Sequence, residues 1–270
     1  MPILKIASWN INSVRLRIDL VTRFLASYQP DILCLQETKV VNDQFPETAF
    51  RKIGYGAVAV NGQKAYHGVA IVSRLPFAAV QAREFCAKGD ARHLSVTLGS
   101  GEGGVEVHNF YVPSGGDEPD PQINEKFAHK LAFLNEMQQW FEQWRHQPPR
   151  PRILLGDLNV APLEHDVWSH KQLLNIVSHT PIEIEHLGKA QAAHGWIDVA
   201  RRFIPPEEKH YTWWSYRAID WRQSNRGRRL DHIWVSPSLG DGLLDYTVAR
   251  EARDWDRTSD HAPVMATLTV

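Results

Sequence analysis

Cysteine is scarce in this sequence. Only two cysteines, Cys34 and Cys86, occur among the 270 residues, and Cys34 lies in an apolar segment typical of a buried strand. A small scaffold held by disulfides needs several paired cysteines, so that class of protein is excluded. We therefore expect a reducing compartment, with the cytoplasm as the default localisation.

Long apolar runs are also missing. A membrane-spanning helix needs about 20 consecutive apolar residues, whereas the longest apolar runs here, such as 32–35 and 69–72, have the length of a strand. Segment 1–10 has a lysine inside a short apolar stretch and no small-residue cleavage site, which is not the pattern of a secretory signal. No membrane association is expected.

Neither sign of charge dominates. The 30 Lys and Arg residues against 31 Asp and Glu residues give a formal net charge of -1, which argues against a protein that coats a polyanion over its whole surface. Any contact with nucleic acid must be local. The one basic stretch is 217–229, whose five arginines follow Trp213, Trp214 and Tyr216. Arginines beside aromatics can hold phosphates and stack on bases, although a solvated loop with cation–π pairs has the same composition.

The apolar pattern predicts a mixed α/β fold in one domain, 1–270. Short runs rich in Val, Ile and Leu predict strands at 4–11, 31–36, 55–60, 69–73, 93–98, 105–112, 153–158, 230–235 and 264–270. Two amphipathic helices lie between them, one capped by Ser13 and reaching Tyr28, the other capped by Asn124 and reaching Trp144. Consecutive strands such as 93–98 and 105–112 indicate antiparallel pairing in part of the sheet, so a uniformly parallel fold is disfavoured.

Several familiar motifs fail. The glycines at 99, 101 and 104 match G-x-G-x-x-G but lie between two predicted strands with no helix following, which indicates a hairpin turn. The 13 histidines include no H-E-x-x-H pair, and no C-x-x-C pair is present to build a zinc site. The nucleophile elbow and the Walker A loop are also absent, which removes the main support for serine hydrolases and P-loop enzymes.

Polar residues cluster instead where predicted strands end. The segments are S-W-N-I-N at 8–12, L-Q-E-T-K at 35–39, N-F-Y-V-P at 109–113, L-G-D-L-N at 155–159, R-L-D-H at 229–232 and T-S-D-H-A-P at 258–263. Each alone has a structural explanation, such as a turn former or a helix cap. Together they supply oxygen ligands for a hard cation, donors for a phosphate and a carboxylate to hold a histidine, which metal-assisted phosphodiester hydrolysis requires.

The same motifs, in this order, resemble a known family. W-N-I-N, L-Q-E-T-K, Y-V-P, G-D-L-N-V-A-P, Y-T-W-W-S-Y-R, N-R-G-R-R-L-D-H and S-D-H-A-P are similar to those of the exonuclease III family of apurinic/apyrimidinic endonucleases, in the endonuclease/exonuclease/phosphatase superfamily. The resemblance runs from residue 4 to the carboxyl terminus. It implies the deoxyribonuclease I-like fold, a four-layered α/β sandwich of two packed mixed β-sheets flanked by helices.

The resemblance also implies a role for each polar residue. Glu37 would be the principal ligand of Mg²⁺ or Mn²⁺, and Asp157 the general base. The residues implied near the metal are Asn10, Glu37, Asp157, Asn159, Asp260 and His261. The residues implied in catalysis are Tyr111, Asp157, Asn159, Asp231 and His261, with Asp231 orienting His261 toward the phosphate. Whether one metal or two operate, and which group takes the proton, stays open.

The implied activity is 3′-5′ exonuclease action on duplex DNA, incision 5′ to abasic sites, or both, by a monomer that acts on double-stranded DNA with abasic sites or 3′ ends. The residues implied to bind DNA are Arg92, Trp213, Arg217, Asn225, Arg226, Arg228 and Leu230, and the whole run 226–229 would hold backbone phosphates.

Ser114 stands where the family often carries a longer amide residue, so the balance between the two activities is open. The alternatives are a superfamily phosphodiesterase or phosphatase acting on a small or lipid substrate, and a DNA-binding protein without catalysis.

Overall fold

The computed structural model describes residues 2–99 and 103–270. The middle of the predicted turn at 99–104 lies outside the described residues. The strands are β1 Ile3–Asn10, β2 Ile32–Gln36, β3 Ala57–Asn61, β4 Val69–Ser73, β5 Phe77–Gln81, β6 His93–Leu98, β7 Val105–Tyr111, β8 Arg152–Asp157, β9 Ile197–Asp198, β10 Trp213–Trp214, β11 Gly227–Arg228, β12 Asp231–Val235, β13 Leu243–Val248 and β14 Val264–Thr269.

Helices connect these strands. The α-helices are α1 Ile18–Tyr28, α2 Glu47–Lys52, α3 Glu125–Trp144, α4 His170–Leu173, α5 Pro181–His194, α6 Val199–Phe203 and α7 Trp221–Ser224. Short 3-10 helices cover Asn42–Gln44, Glu164–Asp166, Pro237–Gly242 and Arg250–Asp254. In the described part of the chain, no helix has both the length and the apolar character that crossing a bilayer demands.

The strands form two six-stranded mixed sheets. The first has the order β13-β14-β1-β2-β4-β3 and the second β5-β6-β7-β8-β12-β9, with β10 and β11 pairing as a separate ribbon. In each sheet one pair is parallel, β1 with β2 and β7 with β8, and a helix connects the two strands of each pair. The antiparallel pairing predicted between 93–98 and 105–112 is confirmed by the β6–β7 register.

The sheets pack face to face because their strands alternate in side-chain direction. In β1, Leu4 and Ile6 contact the inner face of the second sheet, whereas Ala7 and Trp9 pack outward under α1 and α2. The outer face of the second sheet is covered by α3 and α5 through another apolar cluster. Four layers result, helix, sheet, sheet and helix, and this confirms the predicted fold class.

One predicted helix start is wrong. Ser13 has a φ of 84° and lies outside α1, which begins at Ile18 after Arg17 without a side-chain cap. The chain from Asn12 to Arg17 instead forms an irregular loop beside the end of β2, where the backbone N–H of Ser13 donates to the Glu37 carbonyl (2.7 Å). The Asn124 cap is confirmed, since its side-chain oxygen accepts from the Lys126 N–H at 3.0 Å.

Candidate functional site

Strand register brings the polar segments to one edge of the sandwich. In the first sheet Asn10 pairs with Gln36, so Glu37 follows directly beside the end of β1. In the second sheet Tyr111 and Asp231 both pair with Asp157. The carboxyl ends of parallel strands are where open α/β sheets commonly bind ligands. Both parallel pairs end at the same edge here, so residues far apart in sequence converge.

Two of the converging residues have unusual backbone geometry. Glu37 has a φ of 50° and Asn159 a φ of 53°, in the left-handed region that side chains other than glycine rarely adopt. Such conformations persist where the surrounding structure imposes them, and they concentrate at functional sites. These two conformations turn the backbone sharply, just after β2 at Glu37 and just after β8 at Asn159, where the two segments reach the site.

Glu37, just after β2 in the first sheet, contacts several of the other site residues. Its Oε1 accepts hydrogen bonds from Asn10 Nδ2 (2.9 Å) and the Tyr111 hydroxyl (2.9 Å), and its Oε2 lies 2.9 Å from Lys39 Nζ. Burial opposes ionisation, but the Lys39 charge and the Asn10 hydrogen bond together lower the pKa of Glu37. For Tyr111, burial and the nearby charge of Glu37 raise the pKa well above its usual value, so the phenol keeps its proton.

Asp157 is buried in the second sheet beside these residues. Its Oδ2 accepts from Asn10 Nδ2 (2.8 Å) and from Asn159 Nδ2 (3.2 Å), and its Oδ1 accepts from the Asn159 backbone N–H (3.0 Å). Burial raises the pKa of Asp157, the charges of Asp231 and Glu37 add to that shift, and His261 opposes it. A buried carboxylate whose pKa is raised is a candidate for proton transfer near neutral pH.

His261 lies between two carboxylates. Its Nδ1 is 2.8 Å from Asp231 Oδ2, which also accepts from the Thr212 hydroxyl (2.6 Å), and its Nε2 is 3.7 Å from Asp157 Oδ2. Burial alone would lower the pKa of His261, but the charges of Asp231 and then Asp157 raise it to about 10. The two carboxylates thus favour the protonated ring, and the Asp231 contact fixes its orientation.

The carboxylates surround a shared cavity of about 230 Å³. Its polar lining includes Glu37, Tyr111, Asp157, Asn159, Asp260 and His261. The carboxylate of Asp260 accepts from Trp213 Nε1 (2.9 Å). Asp157, Asp231 and His261 also offer ligand atoms within 4.8 Å of one another. The carboxylates of Glu37, Asp157 and Asp260 line this cavity, and oxygen donors of this kind are the ligands that a hard divalent cation takes.

A larger cavity of about 510 Å³ continues on the other side of Tyr111. The two cavities share Glu37, Tyr111 and Ser114, and the larger one is also lined by Arg92 and His67. Arg92 is nearly buried, donates to Asp90 (2.9 Å) and to the Tyr111 carbonyl (3.3 Å), and stacks over the Tyr111 ring. The predicted substrate-side arginine thus reaches the edge of the site.

The other predicted DNA-binding residues are divided between the site and its surroundings. Trp213, Arg228 and Leu230 line the smaller cavity, and the Arg228 guanidinium lies 5.4 Å from the Trp213 ring centroid. The remaining three lie in the exposed loop region around α7, and they are Arg217, Asn225 and Arg226. The side-chain oxygen of Asn225 is already used by the Trp214 indole (3.2 Å) and by Arg250 (3.3 Å).

One member of the basic run is placed differently from the prediction. Arg229 is 0% exposed, and its guanidinium donates to both oxygens of Asp166 (2.8 and 2.9 Å) and to Asp198 (2.7 Å). Its side chain cannot reach a phosphate, so the expectation for the whole run 226–229 is wrong at this position. Strand alternation causes the difference, since Arg228 in β11 points toward the cavity and its neighbour points the other way.

This placement gives a stability prediction. Arg229→Ala should lower the free energy of unfolding by about 1.5–3 kcal/mol, because the buried Asp166 carboxylate loses its bidentate partner and keeps only Arg201. Arg226→Ala is the matched control in the same run, and its exposed side chain should change that free energy by less than about 0.5 kcal/mol. Urea denaturation of both variants checks this. Equal losses in the two variants would contradict the placement of Arg229.

Three residues at the site have no assigned role in the sequence prediction. Lys39 holds Glu37, Thr212 holds Asp231, and Lys130 donates to the Asn159 carbonyl (2.7 Å). Lys39 lies in the same five-residue motif as Glu37, and that proximity is the one available signal. Thr212 lies in the Y-T-W-W-S-Y-R motif but 19 residues from Asp231, and Lys130 lies in no quoted motif and 29 residues from Asn159. Only the folded arrangement shows what they contact.

The chain is similar in sequence and in structure to known proteins. A model of the endonuclease/exonuclease/phosphatase family matches residues 7–261. An exodeoxyribonuclease III from Haemophilus influenzae is 30% identical over 97% of this chain and 99% of its own. The structure of an AP endonuclease from Archaeoglobus fulgidus superposes with a TM-score of 0.89 at 32% identity, covering 99% of this chain and all of that one (100%). A 3′ phosphatase from Neisseria bound to product DNA hairpin has a TM-score of 0.89 at 31% identity, with the same coverage of 99% and 100%.

Proposed function

The chain belongs to the endonuclease/exonuclease/phosphatase family, and from that premise we propose that it is a metal-dependent DNA repair nuclease. It hydrolyses phosphodiester bonds of double-stranded DNA, by incision 5′ to abasic sites, by 3′-5′ exonuclease action, or both. One observation supports this above all others: Glu37, Asp157 and Asp260 line one cavity together with Trp213 and Arg228.

The cofactor we propose is Mg²⁺ or Mn²⁺. When bound, the cation supplies positive charge that neutralises the phosphate and favours attack by water. Glu37 is its principal ligand, with Asn10 and Asp260 near it. The support is the donor set, because hard cations take carboxylate and amide oxygens and keep several waters. His261, which the sequence also predicts near the metal, has no free lone pair when both its nitrogens are protonated, and this favours a contact with phosphate.

Asp157 and Asn159 prepare the attacking water. Asp157 accepts the proton of the water, and its raised pKa suits a general base that must release the proton again near neutral pH. Asn159 holds the base in place through two hydrogen bonds to its carboxylate. Because the loop conformation fixes both side chains, the water is oriented before reaction and little reorganisation is required.

His261 and Tyr111 act on the phosphate from two sides. The imidazolium of His261, oriented by Asp231, donates Nε2–H to a phosphate oxygen and stabilises charge there. Tyr111 keeps its proton, which it donates as a hydrogen bond to Glu37 when no substrate is bound. When DNA binds, the hydroxyl turns and donates instead to the phosphate or to the departing 3′ oxygen. Arg92 stacks behind the Tyr111 ring and supports it on the side of the site that faces the DNA strand.

The DNA-binding surface we propose surrounds the smaller cavity. Trp213 and Leu230 form the apolar wall that receives an extrahelical abasic sugar, whose extrusion is inexpensive because no base pair is broken. Arg228 borders this wall. Exposed Arg217 and Arg226, with Asn225 between them in sequence, lie where backbone phosphates flank the lesion. We propose that the enzyme acts as a monomer in the cytoplasm.

The phosphate contact predicted for Arg217 is measurable by salt dependence. Arg217→Ala should weaken binding to duplex DNA and reduce the magnitude of the slope of log K against log salt by about one, because one counterion fewer is released. Fluorescence anisotropy over a series of NaCl concentrations gives the slope. Arg51→Ala is the control, since exposed Arg51 donates to the Gly56 carbonyl at the far end of the first sheet. A slope unchanged by Arg217→Ala would refute the contact.

The experiment that tests the proposed function compares substrates and metals. The protein is incubated with an abasic duplex, with a duplex that has a recessed 3′ end, and with phosphorylated small molecules, each with Mg²⁺ or with EDTA. We expect cleavage of DNA in Mg²⁺ and none in EDTA. Turnover of the small molecules without DNA cleavage would instead support a phosphatase of the same family, and cleavage in EDTA would exclude the cofactor.

A further inference from the structure

A buried ion pair lies directly beneath the site and has no part in the chemistry proposed above. Lys130 in α3 and Glu183 in α5 are both 0% exposed and in contact. We propose that Lys130 and Glu183 are positioning residues that hold Asn159 and the Ser114 segment in the geometry needed for hydrolysis. The inference rests on the proposed nuclease function.

The Lys130 ammonium connects three parts of the chain. It donates to the carbonyl of Asn159 (2.7 Å), which follows β8, to the carbonyl of Ser114 (3.2 Å), which follows β7, and to Glu183 in α5. Three donors thus meet three acceptors. The ammonium therefore ties the turn after β8, where Asn159 has a left-handed φ of 53°, to the segment after β7 and to α5.

Glu183 extends the connection to the wall of the smaller cavity. Its two oxygens accept from the backbone N–H of Ser178 (2.9 Å each) and from the hydroxyl of Thr180 (2.6 Å). Ser178 lines the cavity, and its own hydroxyl accepts from Arg228 (2.7 Å). The pair therefore joins the loop that carries Asn159 to the wall that carries Arg228.

Stability alone does not explain a charged pair at this place. Removing two charges from water is costly, and apolar replacements of buried ion pairs are often neutral or stabilising. A methionine and a leucine would fill the same space between two helices. Neither apolar side chain could donate a hydrogen bond to the carbonyls of Ser114 and Asn159, which follow the ends of two strands. The positive charge of Lys130 also lies close enough to Asp157 for the two to attract each other.

The test is the double variant Lys130→Met with Glu183→Gln, which leaves no buried charge unpaired and keeps an acceptor for Ser178. We expect kcat for abasic-duplex cleavage to fall roughly 10- to 100-fold, because a displacement of about 1 Å costs that much. The Kd for the duplex in EDTA should stay within about twofold of the wild type, since the lost interaction acts on the reaction step. A kcat within about twofold of the wild type overturns the inference.

A double-mutant cycle separates positioning from a general structural effect. If the pair acts through Asn159, then in an Asn159→Ala background the same two substitutions should lower kcat by less than about twofold further. If the reductions in kcat caused by the pair variant and by Asn159→Ala instead multiplied, the pair would not act through Asn159. The matched control is Arg152→Met with Glu106→Gln, which removes a second pair (2.6 Å) whose arginine is buried at the opposite end of β8, and its kcat should not change.

Folding is checked by thermal unfolding of each variant. If the double variant does not fold, Lys130→Arg carries the test, because the guanidinium keeps the charge beside Glu183 but moves the donors. Its kcat should fall about tenfold with Kd unchanged, and a wild-type kcat overturns the inference. A wild type that cleaves no DNA would refute the proposed function, whereas an active wild type with an unaffected pair variant refutes only the inference.

Discussion

Asp157→Asn should reduce kcat for DNA cleavage by about 10³-fold, within the range that a positioned general base contributes. The asparagine keeps the shape of the side chain and can still bind Asn159, so the site stays assembled. It cannot accept a proton from water. Affinity for the duplex should therefore stay close to that of the wild type. Single-turnover cleavage of an abasic duplex and anisotropy binding in EDTA measure the two quantities separately.

The control for this substitution is Asp245→Asn. Asp245 is exposed on β13 at the edge of the first sheet, and its loss should leave the rate unchanged. If Asp157→Asn cleaved at nearly the wild-type rate, Asp157 would not be the general base. If it lost rate and DNA affinity together, the aspartate would have a binding role instead.

Glu37→Gln should weaken binding of the divalent cation. The amide removes one negative charge from the proposed ligand set but keeps an oxygen for Asn10 and Tyr111, which hold Glu37 now. We expect the Mg²⁺ concentration for half-maximal rate to rise by more than about 100-fold, since loss of a direct ligand should exceed the effect of losing an outer partner. Cleavage rates over a Mg²⁺ series, and calorimetric binding of Mn²⁺ without DNA, measure this.

The matched control is Glu47→Gln, at a half-buried glutamate in α2 whose partner is Arg51. It should leave the Mg²⁺ dependence unchanged. A Glu37→Gln variant with wild-type Mg²⁺ dependence and a reduced maximal rate would mean that the glutamate acts on Tyr111 or on the substrate, and not on the cation.

Much of the fold could be predicted because the core strands carry continuous or alternating apolar residues. All nine predicted strands are present, and the predicted family and fold class are confirmed. The strands that were missed are edge strands or pairs of residues. In β5 four of five residues are exposed, and β13 also lies at a sheet edge. One-sided burial leaves a weak signal in the sequence.

The candidate site could be predicted for a different reason. Its residues come in short motifs at strand ends, and register then aligns Asn10, Tyr111, Asp157 and Asp231. Their catalytic roles stay predictions. Side-chain direction could not be predicted, even within the motifs. Arg229 points into the protein although its neighbour Arg228 lines the cavity, and Lys130 reaches the Asn159 carbonyl from α3 in the adjacent helix layer.

The position of the divalent ion tests the central claim most directly. Crystals soaked in Mn²⁺ and measured at the manganese absorption edge would locate it by anomalous scattering, on a preparation shown to cleave abasic DNA. We predict a peak within bonding distance of a Glu37 carboxylate oxygen, next to Asn10 and Asp260. A peak held only by Asp231 and His261, or no peak in an active preparation, would contradict the claim.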